Sequence, residues 1–188
     1  MAVRRYWIGK LNCDTSTKSS LSWLITRNPV NWKAHPVWSP CEGNTRMIEA
    51  AGCRARLLAG RFKTQELLAK FNSGTSSVCQ LCKKDPEDVL HMIVLCPNLE
   101  TARKEGIARI QLTYKEEGLT EPTTIGEICS AVLNGDCYIS SIPRETGVIS
   151  LKEASNIKKI NGICNILCKR LAKERDWMLN NILIDSSL

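Results

Sequence analysis

The sequence is poor in histidine and has no long apolar run, and both shortages exclude function classes. With only 2 histidines, catalysis by a histidine general base has few groups to use. No P-loop, dinucleotide-binding glycine motif or G-x-S-x-G nucleophile motif occurs. No apolar stretch is long enough to span a bilayer, so no membrane partner is predicted. We therefore predict that the chain has no enzymatic activity of its own.

A secretory signal is also missing, because Arg4 and Arg5 are followed by no apolar core. The 10 cysteines therefore predict reduced thiols rather than a disulfide framework. A reducing compartment, the cytoplasm or the nucleus, is the expected location. Cys53, Cys164 and Cys168 lie in helical patterns, so they are predicted to be small buried hydrophobic residues.

One group of cysteine and histidine residues has the spacing of a small zinc site. Cys79, Cys82, His91 and Cys96 read C-x2-C-x8-H-x4-C, and Pro97 prevents a helix from continuing past the last of them. Three thiolates and an imidazole suit one tetrahedral Zn²⁺ ion with no open position, so the ion is predicted to be structural. The alternative is four unrelated residues, with His91 packed in a core.

The segment between the second and third ligands carries helix-start signals. Asp85 is predicted to cap a short helix, with Pro86 at its first position and Glu87 and Asp88 in its first turn. His91 would then project from this helix toward the cysteines. We interpret the two acidic residues as first-turn charges rather than as an acid–base pair.

The net charge of +7 is distributed unevenly. Residues 44–71 hold six Lys or Arg and two acidic residues, and residues 150–184 hold seven and three. Residues 72–149, which contain the zinc ligands, hold seven basic and eleven acidic residues. If nucleic acid binds, its phosphates are expected to contact the basic flanks. The alternative is that these charges simply face solvent on helices.

The sequence predicts a mainly α-helical fold in four segments. Residues 1–43 are expected to form an irregular tryptophan-rich segment, 44–114 a helical zinc-knuckle domain, 115–149 an irregular connector and 150–188 a C-terminal helix. The tryptophans of the first segment are predicted to clamp it onto another surface of the protein, with stacking on bases as the alternative. They are Trp7, Trp23, Trp32 and Trp38.

Cap and stop signals place the individual helices. Asn44 is predicted to cap a helix that runs to about Ala59, and Thr64 to cap a second helix. Two further helices are predicted over about 98–114 and about 124–133.

The C-terminal helix is predicted to begin at a capping box over 150–153. Its apolar residues follow at alternating spacings of three and four, and they are Ile157, Ile160, Cys164, Leu167 and Leu171. We interpret this 157–171 seam as one face of an intramolecular bundle. A coiled-coil contact with a protein partner or with a second copy is the alternative.

Several short stretches together resemble a known family. They are His35-Pro-Val-Trp38, Ala55-Arg-Leu-Leu-Ala-Gly-Arg-Phe62, Lys70-Phe-Asn72, Cys79-Gln-Leu-Cys82, Pro86-Glu-Asp88, His91, Cys96-Pro97, Leu99 and Arg103. Over about residues 20–105 the chain resembles the C-terminal zinc-binding region of reverse transcriptases from non-LTR (LINE-type) retrotransposons. Residues 106–188 carry no resemblance.

The resemblance implies a CCHC zinc knuckle that follows a polymerase and helps it to grip template RNA and target DNA. It also implies that Cys79, Cys82, His91 and Cys96 hold one structural Zn²⁺ ion. The polymerase is not implied, because the sequence has no paired-aspartate palm motif and no endonuclease residue set. The chain is then expected to be a C-terminal fragment or a host reading frame derived from one.

Three interpretations follow. The first is a non-catalytic zinc-binding module for single-stranded RNA or DNA, and its candidate phosphate contacts lie next to the zinc segment: Arg54, Arg56, Arg61, Lys63 and Lys70. The second is a zinc-stabilised helical module that binds protein through the 157–171 seam. The third is a decayed transposon fragment without a selected function.

Overall fold

The computed structural model describes residues 10, 13, 35–135 and 151–185. This part of the chain is mainly α-helical, as predicted, and outside its helices it has one isolated β-bridge, between Val78 and Pro86. The helices are α1 (Thr45–Leu58), α2 (Gln65–Phe71), α3 (Glu100–Glu116), α4 (Ile125–Asn134) and α5 (Leu151–Asp185). The structure does not describe three of the predicted tryptophans, Trp7, Trp23 and Trp32. It also does not describe Ser150 or the side chains of residues 151–153, where the capping box is predicted.

Short polar side chains fix the starts of three helices. The side-chain oxygens of Asn44 and Thr64 accept hydrogen bonds from the backbone N–H three residues later, at 3.2 and 3.3 Å. Thr124 forms a reciprocal capping box with Glu127 at the start of α4. These caps confirm the predicted starts of α1 and α2 and the predicted position of α4.

The long helix α5 is the centre of the packing, because α1, α3 and α4 all contact it. Its apolar seam is buried within the chain, and Ile160, Cys164 and Leu171 have no exposed surface. The intramolecular interpretation of the 157–171 seam is therefore confirmed. The alternative, in which this seam binds a protein partner or a second copy, stays a prediction, and in the structure α1, α3 and α4 cover the seam.

A glycine allows α3 and α5 to approach each other closely. A Cβ atom at Gly106 would lie 2.7 Å from Leu167 Cδ1, well inside van der Waals contact. The absence of a side chain at this position lets Leu167 pack directly on the α3 backbone.

The described cysteines form no disulfide. Cys53, Cys164 and Cys168 are buried in the main core, as predicted, and burial raises the pKa values of the Cys53 and Cys168 thiols. These residues therefore act as small apolar side chains. Among the described helices, none is both long enough and apolar enough to cross a membrane.

Candidate metal centre

The four predicted zinc ligands come together in space. The sulfur atoms of Cys79, Cys82 and Cys96 and a ring nitrogen of His91 all lie within 4.8 Å of one another. Cys79 Sγ is 3.9 Å from Cys96 Sγ, and Cys82 Sγ is 3.3 Å from His91 Nε2. Cys82 is partly exposed and the other three residues are buried. The sequence left open whether these residues are related, and the structure shows that they form one cluster.

The spacing and chemistry of these atoms suit one structural zinc ion. When Zn–S bonds are about 2.3 Å long, two sulfurs at the corners of a tetrahedron lie about 3.8 Å apart. The 3.9 Å between Cys79 Sγ and Cys96 Sγ matches this edge. Thiolate and imidazole are the donors that zinc prefers, and four of them leave no position for a reactive water.

A tight turn presents backbone N–H groups to the first two sulfurs. Those of Leu81 and Cys82 face the Cys79 sulfur, and those of residues 84–85 face the Cys82 sulfur. The turn is closed by Lys83 N, which donates to Cys79 O at 2.8 Å. Lys83 has a φ of 56°, so this turn uses the left-handed region without a glycine. The N–H groups stabilise thiolate charge before and after a metal binds.

The helical segment that carries the third ligand starts later than predicted. Asp88 Oδ1 accepts a hydrogen bond from His91 N at 2.6 Å, so Asp88 is the cap. Asp85, the predicted cap, lies in a hairpin-like stretch closed by the bridge between Val78 and Pro86. Cys79 N donates to Asp85 O and Glu87 N donates to Ser77 O, both at 2.8 Å, so this stretch pairs with residues 77–79 instead of starting a helix.

A π-helical turn, His91–Leu95, separates the third and fourth ligands. Cys96 N donates to His91 O at 2.7 Å, and this wider turn helps to bring both side chains to one point. Pro97 then starts a 3₁₀ turn whose N–H groups at 98–99 face the Cys96 sulfur. Pro97 therefore ends one helical segment, as predicted, and also begins the next.

The metal-free thiols of this cluster differ in acidity. Burial raises the pKa of Cys79 to about 12 and raises that of Cys96 as well. Burial also acts on Cys82, but the N–H groups of residues 84–85 and the neighbouring thiols outweigh it and lower its pKa. Zinc binding therefore has to displace protons from at least the two buried thiols.

A buried ion pair joins the zinc segment to α5. Arg175 Nε and Nη2 donate to the two carboxylate oxygens of Glu87 at 2.6 and 2.8 Å, and the two side chains are 5% and 2% exposed. Arg175 Nη2 also donates to Lys63 O, and Gln65 N donates to Glu87 Oε2. The interpretation of Glu87 as a first-turn charge is therefore wrong. Its partner lies 88 residues away, so no local pattern could reveal it.

Arg54 lies in the core rather than on the surface. Its Nε donates to Leu133 O at 2.8 Å, and its Nη1 donates to Asn161 Oδ1 and Asn165 Oδ1 at 2.8 and 3.1 Å. The side chain is 0% exposed. Arg54 therefore caps the C-terminal end of α4, where a positive charge is favoured. The prediction that Arg54 contacts nucleic acid is wrong, because its guanidinium has no access to solvent.

Gly135 makes room for this arrangement at the end of α4. It has a φ of 68°, and a Cβ there would lie 2.6 Å from Arg54 Nη2 and from Asn161 Oδ1. Tyr114 Oη donates to Gly135 O at 2.9 Å. A glycine is needed here both for the left-handed backbone and for the close approach of the arginine.

The other four predicted nucleic-acid contacts, Arg56, Arg61, Lys63 and Lys70, are exposed. Lys70 forms an ion pair with Glu66 at 2.8 Å on α2. Arg56 lies on α1 and Lys70 lies on α2. Arg61 and Lys63 lie on the loop between these two helices. Their contact with nucleic acid stays a prediction.

Comparison with known proteins supports the metal assignment. Residues 16–102 match the family model described as zinc-binding in reverse transcriptase, and the matched range contains all four ligands. No curated protein and no solved structure matches the chain. The family match and the four-ligand cluster together identify a zinc-binding module that is similar to the one found in reverse transcriptases.

Proposed function

We propose that this chain is a non-catalytic, zinc-stabilised module that binds single-stranded nucleic acid. In this proposal it is a CCHC knuckle of the kind found at the C-terminus of non-LTR (LINE-type) retrotransposon reverse transcriptases. The observation that carries the proposal is the closed Cys79–Cys82–His91–Cys96 cluster inside a region similar to a reverse-transcriptase zinc-binding region. A closed site stabilises the fold and leaves recognition to the surrounding side chains.

Exposed basic residues next to the zinc segment support a nucleic-acid ligand. Arg56, Arg61 and Lys63 present their charges to solvent, and the described structure gives none of them a carboxylate partner. Lys70 shares its charge with Glu66, so it is expected to contribute less. Arg side chains can both pair with phosphates and stack on bases, which suits single strands.

The three cysteine ligands need reduced thiols, which supports a reducing compartment, the nucleus or the cytoplasm. The alternative of a protein-binding module loses the surface on which it was based, because the 157–171 seam is buried. The third interpretation is a decayed transposon fragment without a selected function. The binding experiment distinguishes this interpretation from a nucleic-acid-binding module.

The proposal is tested by fluorescence anisotropy of the zinc-loaded protein with a labelled single-stranded RNA, the matching single-stranded DNA and the matching duplex. A salt series should give affinity for the single strands that falls steeply with salt, with a log–log slope of about −0.7 for each phosphate contact. An Arg61→Gln/Lys63→Gln protein should show weaker binding and a shallower slope. No binding at low salt by folded, zinc-loaded protein would overturn the proposal.

A further inference from the structure

A set of basic residues and one exposed tryptophan lies on neighbouring faces of α1 and α5, outside the zinc cluster. We name it the α1/α5 face and define it as Arg46 and Arg56 of α1 with Lys169, Lys173 and Trp177 of α5. Helices α1 and α5 pack side by side. The α5 members lie beyond residue 102, outside the range that matches the zinc-binding family.

The two arginines occupy the edge of α1 that borders α5. Arg46 and Arg56 are ten positions apart, which places them within about 80° of each other around the helix axis. Both side chains are exposed. Glu49 and Cys53 lie between them on the same edge, and Cys53 Sγ contacts the α5 backbone at Cys168 O, 3.6 Å away. This contact shows that the edge faces α5.

The α5 members follow one another at intervals of four residues. Lys169, Lys173 and Trp177 therefore lie within about 80° of one another along the helix. Lys173 is exposed and Trp177 is 61% exposed. Lys169 Nζ is 2.5 Å from Glu49 Oε2 on α1, and this ion pair joins the two halves of the face.

The pKa of Glu49 indicates that this carboxylate lies in a positive electrostatic environment. The hydrogen bond and charge of Lys169, followed by the charges of Lys173 and Arg46, lower its pKa although the carboxylate is exposed. Three cations of the face therefore lie close to one carboxylate. Two further acidic residues, Glu174 and Asp176, follow Lys173 on α5, and Asp176 accepts a hydrogen bond from Arg175 Nη1 at 3.1 Å. The four cations of the face outnumber these two carboxylates and Glu49, so the face keeps a net positive charge.

Trp177 distinguishes this face from an ordinary charged helix surface. A large aromatic ring that is 61% exposed and one helical turn from Lys173 has the elements of a base-stacking platform beside a phosphate-binding surface. In contrast, Arg170 on α5 forms an ion pair with Glu105 of α3 at 2.9 Å, so its charge is already paired.

We propose that a single-stranded nucleic acid crosses the α1/α5 face, with phosphates on Arg46, Arg56 and Lys173 and a base stacked on Trp177. This inference rests on the proposed nucleic-acid-binding function, and it assigns that function to a surface whose α5 half lies outside the range of the family match. Lys169 contributes less because Glu49 already holds it. Stacking and phosphate contacts are sequence-tolerant, so weak sequence preference is expected.

The test compares two double variants in the anisotropy salt series, using labelled oligouridine and oligothymidine. Arg46→Gln/Lys173→Gln removes two cations of the face, and it should make the log–log salt slope shallower by about 1.4, which is two phosphates at about 0.7 each. Arg109→Gln/Lys104→Gln removes the same two residue types from exposed positions of α3 and should leave the slope unchanged. Melting temperatures of both proteins serve as a check on folding.

A second pair of variants tests the stacking contact. Trp177→Ala should weaken binding at least about fivefold at every salt concentration without changing the slope, because no charge is lost. Trp177→Phe should recover part of the affinity. Ile166→Ala, at another exposed apolar position of α5, should change nothing.

The outcomes separate this inference from the proposed function. Suppose that the wild-type protein binds, that the α1/α5 variants bind equally well and that Arg61→Gln/Lys63→Gln weakens binding. The assignment of binding to the α1/α5 face is then wrong, and the proposed function stands. An equal change of the salt slope in the α3 control variant would also contradict the assignment to the α1/α5 face, since binding would then depend on total charge alone. If folded, zinc-loaded wild-type protein binds neither strand, both proposals fail.

Discussion

At the scale of the single residue, Cys82 is the ligand that is best suited to a test of the metal site. It is the partly exposed member of the cluster, so its replacement disturbs packing less than replacement of a buried ligand. Serine keeps the size of the side chain but is a poor ligand for zinc. The effect of Cys82→Ser therefore reports mainly on metal binding.

We expect the Cys82→Ser protein to bind no stoichiometric zinc. At saturating zinc its free energy of unfolding should be about 4 kcal/mol lower than that of the wild-type protein. This value is the stabilisation by a ligand whose concentration is about a thousandfold above its Kd. Metal content by elemental analysis and thermal melting are the measurements. Cys41→Ser changes a buried cysteine outside the cluster and should keep one zinc. A Cys82→Ser protein with one bound zinc and an unchanged melting temperature would contradict the four-ligand assignment.

Arg54 and Arg56 offer a comparison within one helix. Arg54→Ala removes a buried side chain and leaves the carbonyl of Leu133 and the amide oxygens of Asn161 and Asn165 without a donor. We expect a loss of about 3 kcal/mol in the free energy of unfolding, measured by urea denaturation. Arg56→Ala, two positions later and exposed, should change it by less than about 0.5 kcal/mol. Equal effects of the two substitutions would argue against the buried role of Arg54.

At the scale of the secondary-structure element, the sequence predicts what depends on neighbours a few positions away. Asn44, Thr64 and Thr124 lie at the starts of α1, α2 and α4 because a cap and its N–H donor are only three residues apart. The zinc ligands were predictable for the same reason, since their spacing lies within 18 residues of sequence.

The sequence does not reveal elements that are joined by long-range contacts. Arg54 looked like a surface arginine because its partners lie 79 to 111 residues away. The Glu87–Arg175 pair spans 88 residues, and Glu87 matched a helix first turn equally well. The misplaced cap at Asp85 has a similar cause, because the pairing of Val78 with Pro86 overrides the local helix signal.

The ion pair between the zinc segment and α5 is expected to be strongly coupled. Glu87→Gln and Arg175→Gln should each lower the free energy of unfolding by about 3–5 kcal/mol, because each leaves a buried charge without its partner. The double variant should lose much less than the sum of the two, and a urea-denaturation double-mutant cycle measures this. The same cycle at the exposed Arg170–Glu105 pair should give a coupling below about 1 kcal/mol. Additive losses at Glu87 and Arg175 would contradict the coupling.

At the scale of the whole molecule, the zinc site and the helical core form one packed body. Cys79 and Cys96 belong to the same hydrophobic cluster as Cys164 and Leu171 of α5. The Glu87–Arg175 pair adds a polar connection between the zinc segment and α5. The metal site is therefore not an independent finger on a flexible tether, and its loss should affect helices that carry no ligand.

We expect zinc chelation to increase hydrogen exchange in α5 around Arg175 as well as in residues 77–99, because both share one core and one ion pair. Exchange followed by mass spectrometry, with and without added chelator, measures this, and re-addition of zinc should restore protection. In the Glu87→Gln protein, where the polar connection is cut, the increase in α5 should be smaller. Exchange that rises only in residues 77–99 of the wild-type protein would show that the zinc segment opens alone while the helical core stays folded.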